Sequence, residues 1–184
     1  MAQTPSNMLA LGTEAPNFNL LNTIDDKFMN LADLKGEKGT AIMFICNHCP
    51  FVVHVNEQLV STARKYLPKG IQFIAISSND VINYPQDGPD KMKIQAKRCG
   101  YPFPYLFDET QEIAKAYDAA CTPDLYLFDS QLTLIYRGQL DNSRPGNNIS
   151  VTGEDLHYAI DCLLNDEDNS RPQIPSIGCN IKWK

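Results

Sequence analysis

The sequence predicts an α/β fold built around a pair of buried parallel strands, and three observations predict it. Two short, continuous apolar runs, Ala41–Ile45 and Ile71–Ile76, read as strands covered on both faces. Between them Val52, Val55, Leu59, Ala63 and Tyr66 recur at helical spacing, so the segment is a strand–helix–strand crossover. At the first junction stands Cys46-Asn47-His48-Cys49-Pro50, with the proline suited to a first helical turn, where its missing N–H costs nothing.

The two cysteines carry the chemistry. Cys46 is expected beside the unpaired N–H groups and positive dipole end of the helix, which favour a thiolate, and the thiolate is the nucleophile. Cys49 is expected in the first turn, close enough for the pair to cycle between dithiol and disulfide. A structural zinc site would need a second ligand pair, and the chain has no second C-x-x-C and no H-x-x-x-H. Three readings stand: a redox pair, a metal or copper module using Cys46, Cys49 and His48, and inert buried cysteines. The motif's place beside a strand–helix–strand unit favours redox.

The other elements follow in order. Residues 1–12 read as a loose arm ending at Gly12. Residues 15–21 and 27–31 flank a polar turn and form a hairpin, and residues 31–36 form one helical turn stopped by Gly36. The central strand spans about 40–45 and the long helix about 50–67, ended by Pro68 and Gly70. After the second buried strand an irregular segment leads to a helix from Pro89 to about Arg98, capped by Gly100. Residues 101–107 are extended, because each proline biases its predecessor away from helix. Asp108 caps a helix of about 109–117. Residues 124–128 and 132–137 form an antiparallel hairpin, 138–150 a loop, and 154–164 a helix with Leu156, Ile160, Leu163 and Leu164 on its apolar face. The tail, 165–184, is polar and broken by Pro172 and Pro175. One domain is expected over 1–184, with its core at about 11–164.

Composition narrows the function classes. At 43% hydrophobic and 21% charged, this 184-residue chain is of ordinary globular make-up. Its net charge of -6 argues against nucleic acid or an anionic membrane as the main partner. No apolar run approaches a bilayer span, and Met1–Gly12 lacks the basic and apolar regions of a secretory signal, so a cytoplasmic location is expected.

This element order resembles the thioredoxin fold, with the N-terminal hairpin and central insertion of the peroxiredoxin-like (AhpC/TSA, redoxin) branch. The features that carry the resemblance are Gly12-x-x-Ala15-Pro16-x-Phe18-x-Leu20, Cys46-Asn47-His48-Cys49 at a strand–helix junction, and Thr122-Pro123 before a hairpin strand. The resemblance implies that Cys46 is the nucleophile, that Cys49 resolves the mixed disulfide, and that Pro123 is cis with Thr122 docking a substrate chain. The residues alone also allow an ordinary trans Pro123. Histidine at position 48 is similar to the oxidising members of the superfamily, and its charge or N–H near Cys46 is expected to favour the dithiol form. Thr40 stands where thioredoxins carry a buried acid, which leaves the base unnamed. In peroxiredoxins the attacking cysteine corresponds to Cys49 and the helping threonine to Cys46. Such enzymes also need an arginine beside the thiolate, and Arg137 and Arg144 are available only by composition.

Among the other cysteines, Cys121 lies two residues before Pro123 and is a candidate third redox thiol or a packed small hydrophobe. Cys99 is expected to be inert and Cys162 to be core. Cys179 is expected to pack, with a docked tail offering a resolving thiol as the alternative. The function expected is a thiol–disulfide oxidoreductase acting on protein or small-molecule disulfides, without cofactor or metal. The alternative is a thiol-dependent peroxidase attacking peroxide through Cys49. Residues 77–105 are the expected seat of partner selectivity.

Overall fold

The computed structural model describes residues 3–184. The chain runs β1 (Gln3–Pro5), β2 (Asn19–Asn22), β3 (Lys27–Asn30), α1 (Leu31–Leu34), β4 (Gly39–Phe44), α2 (Pro50–Tyr66), β5 (Ile71–Ser77), α3 (Pro89–Cys99), β6 (Tyr105–Phe107), α4 (Glu112–Ala116), β7 (Cys121–Thr122), β8 (Asp124–Asp129), β9 (Leu134–Gly138), α5 (Glu154–Leu164) and β10 (Ile177–Asn180).

Seven strands form one mixed sheet in the order β3-β2-β6-β5-β4-β8-β9. β4 is buried at every residue and pairs parallel with β5 and antiparallel with β8. Strand side chains alternate between faces. Ala41 and Met43 therefore join a cluster with Val52, Leu59 and Ala63 of α2, Met92 of α3 and Ile160 of α5. Ile42 and Phe44 join a second cluster with Phe18, Leu31 and Ala114 on the opposite face. Helices cover both faces, which is why β4 and β5 read as unbroken apolar runs. This is the thioredoxin fold, with the hairpin β2–β3 at one edge and residues 78–104 inserted between β5 and β6.

Most element boundaries match the sequence reading, and α5 matches it at both ends. α4 is shorter than expected, starting at Glu112, although Asp108 does satisfy first-turn amides by accepting from the backbone N–H of Ala114 at 2.9 Å. The two termini differ more. Of the arm expected over 1–12, residues 1 and 2 lie outside the described residues, and Gln3–Pro5 is a strand. The polar tail contains a second strand, β10, and a three-stranded sheet β1-β10-β7 ties both ends of the chain to Cys121–Thr122. Strands of two to four residues leave no periodicity to read. Among the described residues no helix is long and apolar enough to cross a membrane.

A fully buried ion pair braces β8 against β9. Arg137 Nη2 donates to Asp124 Oδ2 at 3.1 Å and to the Asp118 carbonyl at 2.7 Å, and its guanidinium sits 4.5 Å from the Tyr126 ring centre. Removing one partner strands the other charge. Asp124→Ala is expected to cost about 3–5 kcal/mol in urea-induced unfolding, while the double replacement Asp124→Leu/Arg137→Met recovers most of that loss. Equal losses in the single and double variants would show that the pair's charge balance is not the cause.

Candidate active site

Pro50 decides the geometry of the cysteine pair. A proline at the first helical position pushes its predecessor out of the helical region. Cys49 is accordingly extended, with φ -67° and ψ 122°, and is the N-cap residue of α2. The sequence reading placed Cys49 inside the first turn and Cys46 at the favoured helix end. The structure shifts this by one position. Cys49 holds the helix N-terminus, and Cys46 lies three residues upstream, just past β4.

The electrostatics follow the shift. The Cys49 thiol is lowered to about 5, first by the hydrogen bond from the Cys46 thiol, then by the Cys179 thiol and by the amides of Val52 and Cys179, which together outweigh burial. Cys46 is raised well above the ordinary thiol value by its bond to Cys49, by burial and by the Asp87 carboxylate. The two thiols thus shift in opposite directions, and the direction for Cys46 is opposite to the one expected from the sequence.

Both sulfurs rest on Thr122. Cys46 Sγ is 3.4 Å from Thr122 Oγ1, and the Cys49 thiol donates to the Thr122 carbonyl oxygen at 3.1 Å. The Thr122–Pro123 peptide bond is cis, so the tertiary structure brings Thr122 and Pro123 to the cysteines from far along the chain. The backbone partner of Thr122 is Cys179 of the same chain. Cys121 is fully buried on β7 with its thiol facing the Pro123 carbonyl at 3.6 Å, and burial pushes that thiol up. This environment fits a packed thiol rather than an additional redox thiol.

His48 is held by Asp87. Its Nδ1 is 2.6 Å from Asp87 Oδ2, and its ring stacks on Tyr84. Asp87, fully buried, also accepts from the Asn47 backbone N–H and the Asn79 side chain, each at 2.8 Å. Asp87 is thus the direct partner of His48, whose ring nitrogen also lies within 4.8 Å of the Cys46 sulfur. Asp87 is a fully buried carboxylate delivered from the insertion after β5. Sequence reasoning missed it because Asp87 is 41 residues from Cys46 and no local pattern marks it. One donor atom each from Cys46, His48 and Asp87 falls within 4.8 Å of the others, but a metal would have to displace the His48–Asp87 bond.

The remaining candidates are dispersed. Arg137 is locked to Asp124, and Arg144 donates to the Asp141 and Ser143 carbonyls and to Gln139. Neither is hydrogen-bonded to a cysteine. Cys99 accepts from Asn56 at 2.9 Å, and Cys162 is buried on α5. Cys179, expected to pack or to offer a resolving thiol from a docked tail, is opposite Thr122 in the cluster that holds Cys49.

Comparison with known proteins gives the family and the fold. The AhpC/TSA family model matches residues 11–137. A crystal structure of an uncharacterized conserved protein from Geobacillus kaustophilus is 58% identical, with a TM-score of 0.98 over 100% of this chain and 97% of that one. A hypothetical protein from Sinorhizobium meliloti is 44% identical, with a TM-score of 0.96 over 98% of each chain. The thioredoxin domain of a thiol-disulfide oxidoreductase from Bacteroides vulgatus shares the fold at 17% identity, with a TM-score of 0.66 over 85% of this chain and 99% of that one. No curated protein matches.

Iodoacetamide labelling followed peptide by peptide is expected to titrate Cys49 with a midpoint near 5 and to reach Cys46 only at alkaline pH. A lower midpoint for Cys46 would overturn the assignment. Between that value and the ordinary thiol value near 9, Cys49 is charged in the fold and protonated in the unfolded chain. Its contribution to stability therefore rises with pH through this window and is lost as pH falls through the folded value. Cys49→Ser is expected to flatten that rise in melting temperature against pH.

Proposed function

The chain belongs to the AhpC/TSA family, and on that premise we propose that it is a thiol–disulfide oxidoreductase in which Cys49 attacks and Cys46 resolves. The observation that carries this reading is the N-cap position of Cys49, whose charge is held by the Cys46 thiol and the helix end.

The steps balance without a cofactor. The Cys49 thiolate attacks one sulfur of a partner disulfide, whose S–S bond breaks to release one thiolate. Cys46 then gives up its proton and attacks the Cys49 sulfur of the mixed disulfide, expelling the second partner thiolate. The protein dithiol loses two electrons, the partner disulfide gains them, and the two released sulfurs take up protons. The reverse sequence oxidises a partner dithiol. Asp87, paired with His48, is the group placed to accept the Cys46 proton, a task for which sulfur, imidazole and carboxylate lie close together. Thr122 and Pro123 wall the site beside both sulfurs.

A thiol-dependent peroxidase is the second reading, favoured by the low value of Cys49 and by the family. In it, Cys49 is oxidised by peroxide to sulfenic acid and then condenses with a neighbouring thiol. The engagement of Arg137 and Arg144 elsewhere counts against it.

The discriminating experiment presents the reduced protein separately with a small disulfide and with hydrogen peroxide, then identifies products by acid quench and peptide mass spectrometry. A Cys46–Cys49 disulfide formed rapidly from the disulfide substrate supports the oxidoreductase. Slow reaction with disulfides and rapid sulfenic acid at Cys49 would replace it with the peroxidase. Cys46→Ser is expected to trap a mixed disulfide on Cys49, and Asp87→Asn to slow its resolution about 100-fold in the otherwise native protein. Unchanged resolution in Asp87→Asn would remove Asp87 from the mechanism.

A further inference from the structure

β10 lies against the cysteine site with unusual closeness. It pairs antiparallel with β7, Cys179 opposite Thr122 and Asn180 opposite Cys121. A Cβ on Gly178 would fall 1.9 Å from the Thr122 carbonyl oxygen, so only glycine allows this approach. That carbonyl oxygen is the one 3.1 Å from Cys49 Sγ. Cys46, Cys49 and Cys179 share one buried cluster.

Cys179 is also held in place. β1 pairs with the other edge of β10, setting Gln3 opposite Cys179. Upstream, the Ser6 N–H donates to the Ser176 carbonyl at 2.8 Å. Downstream, the Lys182 N–H donates to Asn79 Oδ1 at 2.9 Å, and the Asp80 N–H to the Lys182 carbonyl at 2.7 Å. A thiol fixed beside a reactive sulfur reacts with the advantage of high effective concentration.

We propose that Cys179 is a third redox thiol of this site, able to resolve a mixed disulfide on Cys49 in place of Cys46. The inference rests on the reading that Cys49 is the attacking thiolate. In the step, the Cys179 sulfur attacks the Cys49 sulfur of a Cys49–S–S–R adduct. The bond from Cys49 to R breaks, a Cys49–Cys179 bond forms, and the Cys179 proton ends on the departing R thiol. The oxidant is the partner disulfide that supplied R. The Cys49 charge is one cause holding the Cys179 and Cys46 protons in place, and that cause disappears once Cys49 is in a mixed disulfide. The same pairing has a second consequence. While β10 occupies Thr122, a polypeptide partner cannot add a strand there, and the sulfur presented to Cys49 at that position is the chain's own.

The test uses full-length Cys46→Ser, oxidised glutathione as the probe, and acid quench with peptide mass spectrometry at low protein concentration. A glutathione adduct on Cys49 is expected to convert to an intramolecular Cys49–Cys179 disulfide with release of one glutathione thiol. In Cys46→Ser/Cys179→Ser, and equally in Cys46→Ser/Cys179→Ala, the adduct is expected to persist at least about tenfold longer. Equal adduct lifetimes with and without Cys179 overturn the role of Cys179 and leave Cys49 as the attacking group. Adducts that form on Cys46 in Cys49→Ser but never on Cys49 in Cys46→Ser overturn the underlying reading, and this inference with it. Circular dichroism of each variant selects which of the two Cys179 replacements is compared.

Discussion

The contact on which the site depends is the seating of two sulfurs and one strand on a single residue, Thr122. Cys46 meets its hydroxyl, Cys49 its carbonyl, and Cys179 its backbone across the β7–β10 pair. Each arrives from a different part of the chain, and each is fixed independently. Pro50 fixes Cys49 at the helix end, the β4–β5 ladder delivers Cys46, and the β1-β10-β7 sheet delivers Cys179. The buried Arg137–Asp124 pair holds the strand that begins directly after Pro123, so the platform under the sulfurs is braced from below.

One unit of charge organises the chemistry. Three thiols crowd a buried space where several thiolates would repel each other and lose solvation. The helix N-terminus and the surrounding donors lower the Cys49 thiol. Asp87 works the other way on Cys46, disfavouring a charge there. Two thiols of opposite tendency thus stand together, with an acid–imidazole pair beside Cys46. A disulfide exchange needs these parts: one sulfur charged at the start, and another that becomes reactive once the first is bonded.

The insertion between β5 and β6 and the C-terminal segment thus do more than decorate a common fold. The insertion brings Asn79, Tyr84 and Asp87 to the cysteine loop. The C-terminal segment brings Cys179 and, through Lys182, ties itself to Asn79 of that insertion. The two meet each other as well as the motif.

The sequence by itself determined the central layers, the helix that follows the motif, and the local pairing of Cys46 with Cys49. Those features rest on periodicity and on residues close in the chain, and Thr122-Pro123 was legible through the resemblance. Only the tertiary structure decided which cysteine stands at the helix end, because the helix opens at Pro50 and makes Cys49 the N-cap. It also decided that His48 belongs to Asp87, that Cys121 is packed away, and that Cys179 stands at Cys49. These depend on contacts between residues tens to more than a hundred positions apart, and on strands too short to carry a pattern. Their causes lie in the sheet order and in long-range hydrogen bonds, which no window along the sequence contains.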